Sequence, residues 1–101
     1  MDLDDGLILR VEENGHGSVL HIEGEIDLAT APQLRARLQT LGGTVVVDLS
    51  DVAFLDSTGI GVLVAARNRL SAAGGGLTLR YPSDVVARTL QIVGLHDWID
   101  Q

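Results

Sequence analysis

The sequence predicts an α/β domain with a mixed four-stranded sheet, on three observations. The run Val45-Val46-Val47-Asp48-Leu49 is short, β-branched and continuous, the pattern of a strand buried on both faces. The run beginning Val62-Leu63-Val64-Ala65-Ala66 is longer and rich in Leu and Ala, which favours a helix. An Asn14-Gly15 pair near the start carries the signal of a tight antiparallel hairpin.

The elements follow in order. Leu7-Ile8-Leu9-Arg10-Val11 is a first strand with imperfect alternation. Asn14-Gly15-His16-Gly17-Ser18 turns the chain, and Val19-Leu20-His21-Ile22-Glu23 returns antiparallel to it. His16 falls in the solvated turn. His21 alternates with Leu20 and Ile22, and a surface or edge position is preferred over a ligand role. Gly24-Glu25-Ile26-Asp27-Leu28-Ala29 is read as a loop. Thr30-Ala31-Pro32-Gln33 has the form of a capping box, with Pro in the first turn. Leu34, Leu38 and Leu41 then recur at helical spacing until Gly42-Gly43 ends the helix.

The next strand spans Thr44 to Leu49. Ser50-Asp51-Val52-Ala53-Phe54-Leu55 is read as a short connection with apolar anchors. A polar knot, Asp56-Ser57-Thr58, then offers caps for a second helix over Thr58–Ala73, because side-chain oxygens there can accept from first-turn N–H groups. Ile60, Leu63, Val64, Arg67 and Leu70 share one side of it, with the Arg67 charge at the margin reaching water. Gly74-Gly75-Gly76 stops the helix. Leu77-Thr78-Leu79-Arg80 is the last strand, with clean alternation. Pro82-Ser83-Asp84 opens a third helix with core face Val86, Leu90 and Val93, and Gly94 ends it. Leu95-His96-Asp97-Trp98-Ile99 is a terminal segment that docks Trp98 and Ile99. The order is β-β-α-β-α-β-α, and no internal repeat or linker interrupts it.

Composition narrows the function. A chain of 101 residues with 46% hydrophobic content suits one globular domain. At that size about 60–70% of the unfolded surface is buried on folding. No apolar run approaches the roughly 20 residues of a membrane span. The start, Met1-Asp2-Leu3-Asp4-Asp5, is acidic and lacks a signal-peptide pattern, and cysteine is absent. A cytoplasmic protein is expected, without direct membrane insertion. The net charge of −7 opposes nucleic-acid binding and favours a partner with a basic patch. All seven basic residues are arginines. The absence of lysine excludes a P-loop lysine, a Schiff base and a lysine-dependent phosphoreceiver at Asp48.

Catalytic readings fail on residue requirements. Leu55 occupies the position where a nucleophile elbow around Ser57 needs glycine, and only His96 follows as a candidate base. Gly59-Ile60-Gly61 begins a dinucleotide fingerprint, but Val64 stands at its third glycine. No His, Cys, Asp or Glu cluster has metal-ligand spacing. No catalytic residue, metal or cofactor is therefore expected. On position alone, Ser57 is a helix-capping residue and Asp27 a turn residue. Gly59 and Gly61 both fall in the first turn of a helix, where glycine costs up to about 1 kcal/mol relative to alanine. Tight packing on the sheet or close approach of a partner backbone would account for them.

Asp56-Ser57-Thr58-Gly59-Ile60-Gly61-Val62 closely resembles the Asp-Ser-(Ser/Thr)-Gly-Leu-Gly-Val signature of bacterial anti-sigma factor antagonists, members of the STAS domain family. Gly24-Glu25-Ile26-Asp27 resembles that family's Gly-Glu-(Leu/Ile)-Asp element at the expected distance upstream. The resemblance covers nearly the whole chain, so residues 1–101 are read as a single STAS domain, with helices mainly on one face of the sheet. It implies a non-enzymatic, phosphorylation-controlled partner switch. The partner would be an anti-sigma factor that is also an ATP-dependent serine kinase, and a phosphatase would reset the switch. Carried over by position, Ser57 is the phosphorylated residue, with Thr58 the neighbouring second choice. Asp27, Asp56, Ser57, Thr58, Gly59, Ile60 and Gly61 form the expected partner contact. A STAS scaffold or regulatory subunit of a signalling assembly or lipid transporter, not phosphorylated, is the alternative the same resemblance allows.

Overall fold

Strand order in the sheet follows chain order, so each crossover simply lays the next strand beside the last. A computed structural model describes residues 6–100, which leaves the acidic start Met1–Asp5 outside the described residues. β1 (Ile8–Glu13) pairs antiparallel with β2 (Gly17–Ile26). β2 pairs parallel with β3 (Thr44–Leu55), and β3 pairs parallel with β4 (Gly76–Arg80). The crossovers carry α1 (Ala31–Leu38) and α2 (Ser57–Ala72). α3 (Asp84–Ile92) and a 3-10 turn (His96–Trp98) close the chain. The order is the predicted β-β-α-β-α-β-α, with Gly15 at φ +83° in the hairpin turn.

Two strands are longer than the sequence pattern predicts. Gly24-Glu25-Ile26 belongs to β2 and is not a loop, and Ser50–Leu55 belongs to β3 and is not a connection. These two stretches pair with each other, with Glu23 opposite Asp51, Gly24 opposite Val52, Glu25 opposite Phe54 and Ile26 opposite Leu55. Gly, Ser and Asp are weak strand formers, and long-range pairing overrides that preference. Register shifts between His21 and Glu23, and between Gly24 and Glu25, absorb the irregularity.

The capping box at Thr30 does not form. The Thr30 hydroxyl donates to the Glu25 carbonyl at 2.7 Å and accepts from the Asp27 N–H at 3.0 Å, so it closes the preceding turn. Gln33 instead clamps the start of the sheet. Its amide donates to the Leu7 carbonyl at 2.7 Å, and its oxygen accepts from the Leu7 N–H at 2.8 Å. α1 ends at Leu38, one turn earlier than the leucine spacing suggests, because Leu41 is buried from the following turn. The Arg69 guanidinium donates to the Leu38 and Leu41 carbonyls, both at 2.8 Å, and so satisfies groups that a helix end leaves open.

One cluster joins Leu34 and Leu38 of α1, Leu63 and Leu70 of α2, and Val86 and Leu90 of α3 to Val45, Val47, Leu49, Leu77 and Leu79 of the sheet. All three helices therefore bury their apolar sides in a single core. The buried side of α2 is Gly59, Val62, Leu63, Ala66 and Leu70, which keeps Leu63 and Leu70 of the predicted stripe and shifts the rest; Ile60, Val64 and Arg67 are half-buried. A helix apolar nearly all round offers no sharp periodicity, so the sheet selects the side with the smaller residues. Val93 is exposed rather than in the core. Arg67 is half-buried, and its guanidinium stacks over Trp98, 4.4 Å from the ring centre. Ile99 bridges Leu79, which docks the terminal segment beside β4. No helix among the described residues is long and apolar enough to cross a membrane.

Candidate functional site

The candidate site lies where β2 and β3 end side by side. Ile26 sits opposite Leu55, and the Asp56 N–H donates to the Ile26 carbonyl at 3.1 Å. Parallel pairing thus brings Asp27 and Asp56, which are distant in sequence, out of neighbouring strands at the same end. This is the carboxyl edge of the parallel strands, where open α/β sheets place their binding sites.

Each aspartate holds a turn with one oxygen. Asp27 Oδ1 accepts from the Ala29 and Thr30 N–H groups at 3.0 and 3.1 Å, and the Asp27 carbonyl accepts from Ala31 at 2.8 Å. Asp56 Oδ1 accepts from Thr58 and Gly59 at 2.9 and 3.1 Å, with Asp56 itself extended at φ −105° and ψ −176°. Asp56 is therefore the N-cap of α2, and Ser57 is the first helical residue. Among the described residues, neither Oδ2 atom has a hydrogen-bond or ion-pair partner. Ser57 is exposed, and its hydroxyl likewise engages no described group. The capping reading of Ser57 is thereby replaced, since the neighbouring carboxylate performs that task.

The two glycines of the first turn separate cleanly. A Cβ on Gly59 would lie 2.5 Å from Ile26 Cγ2 and 2.6 Å from Leu55 Cδ1, so Gly59 is required for packing on the strand ends. A Cβ on Gly61 would meet nothing within 4 Å. Packing within the chain does not account for that glycine. Thr58 and Ile60 are half-buried beside them, and Leu28 projects from the adjoining loop with 75% exposure.

A second polar cluster, on the sheet itself, escaped the sequence reading. Asp48 is buried on β3. Its Oδ1 accepts from the Ser50 N–H at 2.9 Å and hydroxyl at 2.7 Å, while its Oδ2 lies 3.1 Å from His21 Nδ1 and 3.6 Å from Arg80 Nη2. His21 Nε2 contacts the Glu12 carboxylate, so the chain of polar contacts crosses all four strands. His21 is half-buried on an inner strand, not at a surface or edge position. Burial by itself raises the Asp48 pKa. The two hydrogen bonds from Ser50, together with His21 and Arg80, outweigh burial and hold the carboxyl below the ordinary value of 3.8. The sequence signal was present in the apolar neighbours of each residue, Leu20 and Ile22, Val47 and Leu49, and Leu79. Flanks of that kind place a polar residue on the opposite side of an inner strand.

With this geometry in view, comparison with known proteins is informative. A family model described as Mlab, STAS domain matches residues 9–100. The anti-sigma-B factor antagonist of Bacillus subtilis (strain 168) is 39% identical over 93 residues, covering 89% of this chain and 85% of that one. The structure of the anti-sigma factor antagonist SpoIIAA in its unphosphorylated form is 25% identical and superposes with a TM-score of 0.80, covering 92% of this chain and 86% of that one. The Bacillus cell fate determinant SpoIIAA in its phosphorylated form, also 25% identical, superposes with a TM-score of 0.72 over 92% and 89% of the two chains. A family-model match over residues 9–100, together with a relative 39% identical over 89% of the chain, places this chain in the STAS domain family.

Proposed function

We propose that the protein is an anti-sigma factor antagonist whose partner binding is switched off by phosphorylation of Ser57. Unphosphorylated, it binds an anti-sigma factor that is also an ATP-dependent serine kinase, and a sigma factor is freed. Phosphorylated, it releases that partner, and a phosphatase restores it. The protein itself performs no catalysis, acts in the cytoplasm, and uses residues 1–101 as one domain. Asp27, Asp56, Thr58, Gly59, Ile60 and Gly61 surround Ser57 in the contact surface. Thr58 is the second hydroxyl in reach of a kinase.

One observation carries the reading. Ser57 is exposed at the first position of α2, and Asp56 already supplies the cap, so its hydroxyl has no structural task in the fold. The relatives support it: one is named an anti-sigma-B factor antagonist, and SpoIIAA has been solved in phosphorylated and unphosphorylated forms.

The physical chemistry of the switch is direct. A phosphate adds nearly two negative charges and three acceptor oxygens. A helix N-terminus favours an anion, so the fold accommodates it. The surface does not stay the same, because Asp27 and Asp56 already make it acidic and a partner there must present a cation. Two unit charges about 4 Å apart interact by about 1 kcal/mol in water and about 4 kcal/mol near a protein surface. Each 1.4 kcal/mol is about tenfold in affinity. Attraction to that cation does not preserve the contact, because a phosphate packed between close-fitting surfaces adds bulk and three acceptor oxygens that must be desolvated; binding ends while the domain stays folded.

The test is intact mass after co-purification with a kinase-type anti-sigma factor, with and without ATP. A gain of one phosphate, absent in Ser57→Ala and coupled to release, is the expected result. Ser57→Asp should fail to bind while its circular dichroism matches wild type. Binding with no phosphate gained would remove the switch. Absence of binding would favour the scaffold or lipid-transporter subunit.

A further inference from the structure

Away from the Ser57 turn, the surface between α1 and α2 holds a cavity of about 140 Å³ lined by Arg35, Leu38, Val62, Ala65, Ala66 and Arg69. Its floor is apolar, formed by the buried Leu38, Val62 and Ala66, and its rim carries two guanidinium groups. We propose that this groove is a second docking point for the partner. It would take one bulky apolar side chain from an acidic helical segment whose carboxylates meet Arg35 and Arg69. The identity of that partner rests on the function proposed above; the chemistry of the groove does not.

Size selects the class of occupant. Small-molecule sites enclose about 300–1,000 Å³, whereas an interface anchor is a single side chain in a small desolvated pocket. Charge selects its surroundings. The chain has a net charge of −7 and only seven arginines, yet two of them flank this groove. Among the described residues no carboxylate pairs with either. Arg69 is also fixed in place, since its Nη2 is held by the Leu38 and Leu41 carbonyls. A pre-positioned guanidinium loses little freedom when it meets a carboxylate.

The groove is also within reach of the Ser57 contact. Ser57, Gly61 and Ala65 succeed one another at a four-residue interval, all exposed, so one row of small residues runs along α2 from the hydroxyl to the groove. At 1.5 Å per residue, Ser57 and Ala65 are about 12 Å apart along the axis. An interface of about 800 Å² per partner spans both. The result is a surface of opposite polarity at its two ends, acidic at Asp27 and Asp56 and basic at Arg35 and Arg69. That arrangement fixes the direction in which a partner lies along α2.

The full chain, labelled with ¹⁵N, would be titrated with a synthetic amphipathic helical peptide presenting one leucine flanked by glutamates. Saturable amide shifts are expected over Arg35–Gln39 and Val62–Arg69. They should weaken at least tenfold in Arg35→Glu, and when lysines replace the peptide's glutamates. Arg35 is exposed, and circular dichroism verifies that its variant folds. Absent shifts, equal response to the lysine peptide, or shifts centred on the Ser57 turn would overturn the proposal. A second arm measures binding to the kinase-type anti-sigma factor, where Arg35→Glu and Ala65→Leu should each weaken affinity about tenfold. Should Ser57→Asp abolish binding while both groove variants bind as wild type, the groove proposal falls and the switch stands. Should wild type bind no such factor, the switch falls, and the peptide titration alone decides the groove.

Discussion

Asp48, inside β3, and Asp56, just past its end, are the same residue type on one strand in opposite circumstances. Asp48 has both oxygens engaged, one on Ser50 and the other on His21 and Arg80. Asp56 uses one oxygen to cap α2 and leaves the other without a described partner. Asp27 repeats the Asp56 pattern on the neighbouring turn. A fully paired charge contributes to stability, and a half-paired one retains capacity for something outside the molecule. The contrast separates the part of the polar inventory that holds the sheet together from the part available for binding.

The strongest way to break this contrast is Asp48→Ala. Removing it strands His21 and Arg80 beside an empty position, and we expect a loss of about 2–3 kcal/mol in urea unfolding. That is below the about 3–5 kcal/mol of breaking a fully buried pair, because both partners keep partial contact with water. The same residue has a pH signature. Its folded pKa lies below the ordinary 3.8, so its contribution is full above that value and is lost as pH falls through the folded value. Asp48→Asn should therefore flatten the acid limb of the stability profile. An unchanged limb would remove Asp48 from the account.

Gly59→Ala comes next. The added methyl meets Ile26 and Leu55 at distances that force one of them to move, an overpacking cost of about 2 kcal/mol. Asp56→Ala removes the cap at about 1 kcal/mol, while Asp56→Asn keeps the acceptor oxygen and loses only the charge. If the charge serves the partner, Asn should retain the melting temperature and still weaken binding. Gly61→Ala has the smallest effect on folding and the opposite sign, a gain of up to about 1 kcal/mol. Weaker partner binding should accompany it. A variant that gains stability and binds as well as wild type would mean that Gly61 is not kept open for a partner.

Much of this was legible in the sequence, because much of it is local. The hairpin, the start of α2 and the end of α3 each depend on a few consecutive residues with distinct backbone preferences. The two aspartate motifs are local in the same sense, and their meeting follows once β2 and β3 are placed parallel. What was not legible depends on pairing across distance. Gly24 and Ser50 read as loop residues because their strand character comes only from the partner strand. Thr30 has the form of a cap, yet its hydroxyl oxygen accepts from the Asp27 N–H and its proton goes to the Glu25 carbonyl, both in the preceding turn. The His21–Asp48–Arg80 cluster needs three strands in register before its members become neighbours. The core side of α2 is legible only at Leu63 and Leu70, because Gly59 and Ala66 bury little apolar surface of their own and only the sheet shows that they face it.

The locked oxygens of Asp27 and Asp56 have a consequence for timing. Both turns around Ser57 are closed by hydrogen bonds to their own backbone, so no loop has to order before a partner is met. Encounter is then a single step whose rate scales with concentration and is raised by opposite charge on the partner. Under the proposed switch, phosphorylation of such a surface would act chiefly on residence time, shortening the life of the complex. In the proposed switch, the pace of the response would be set by the enzymes that add and remove the phosphate, with no delay from rearrangement of this domain.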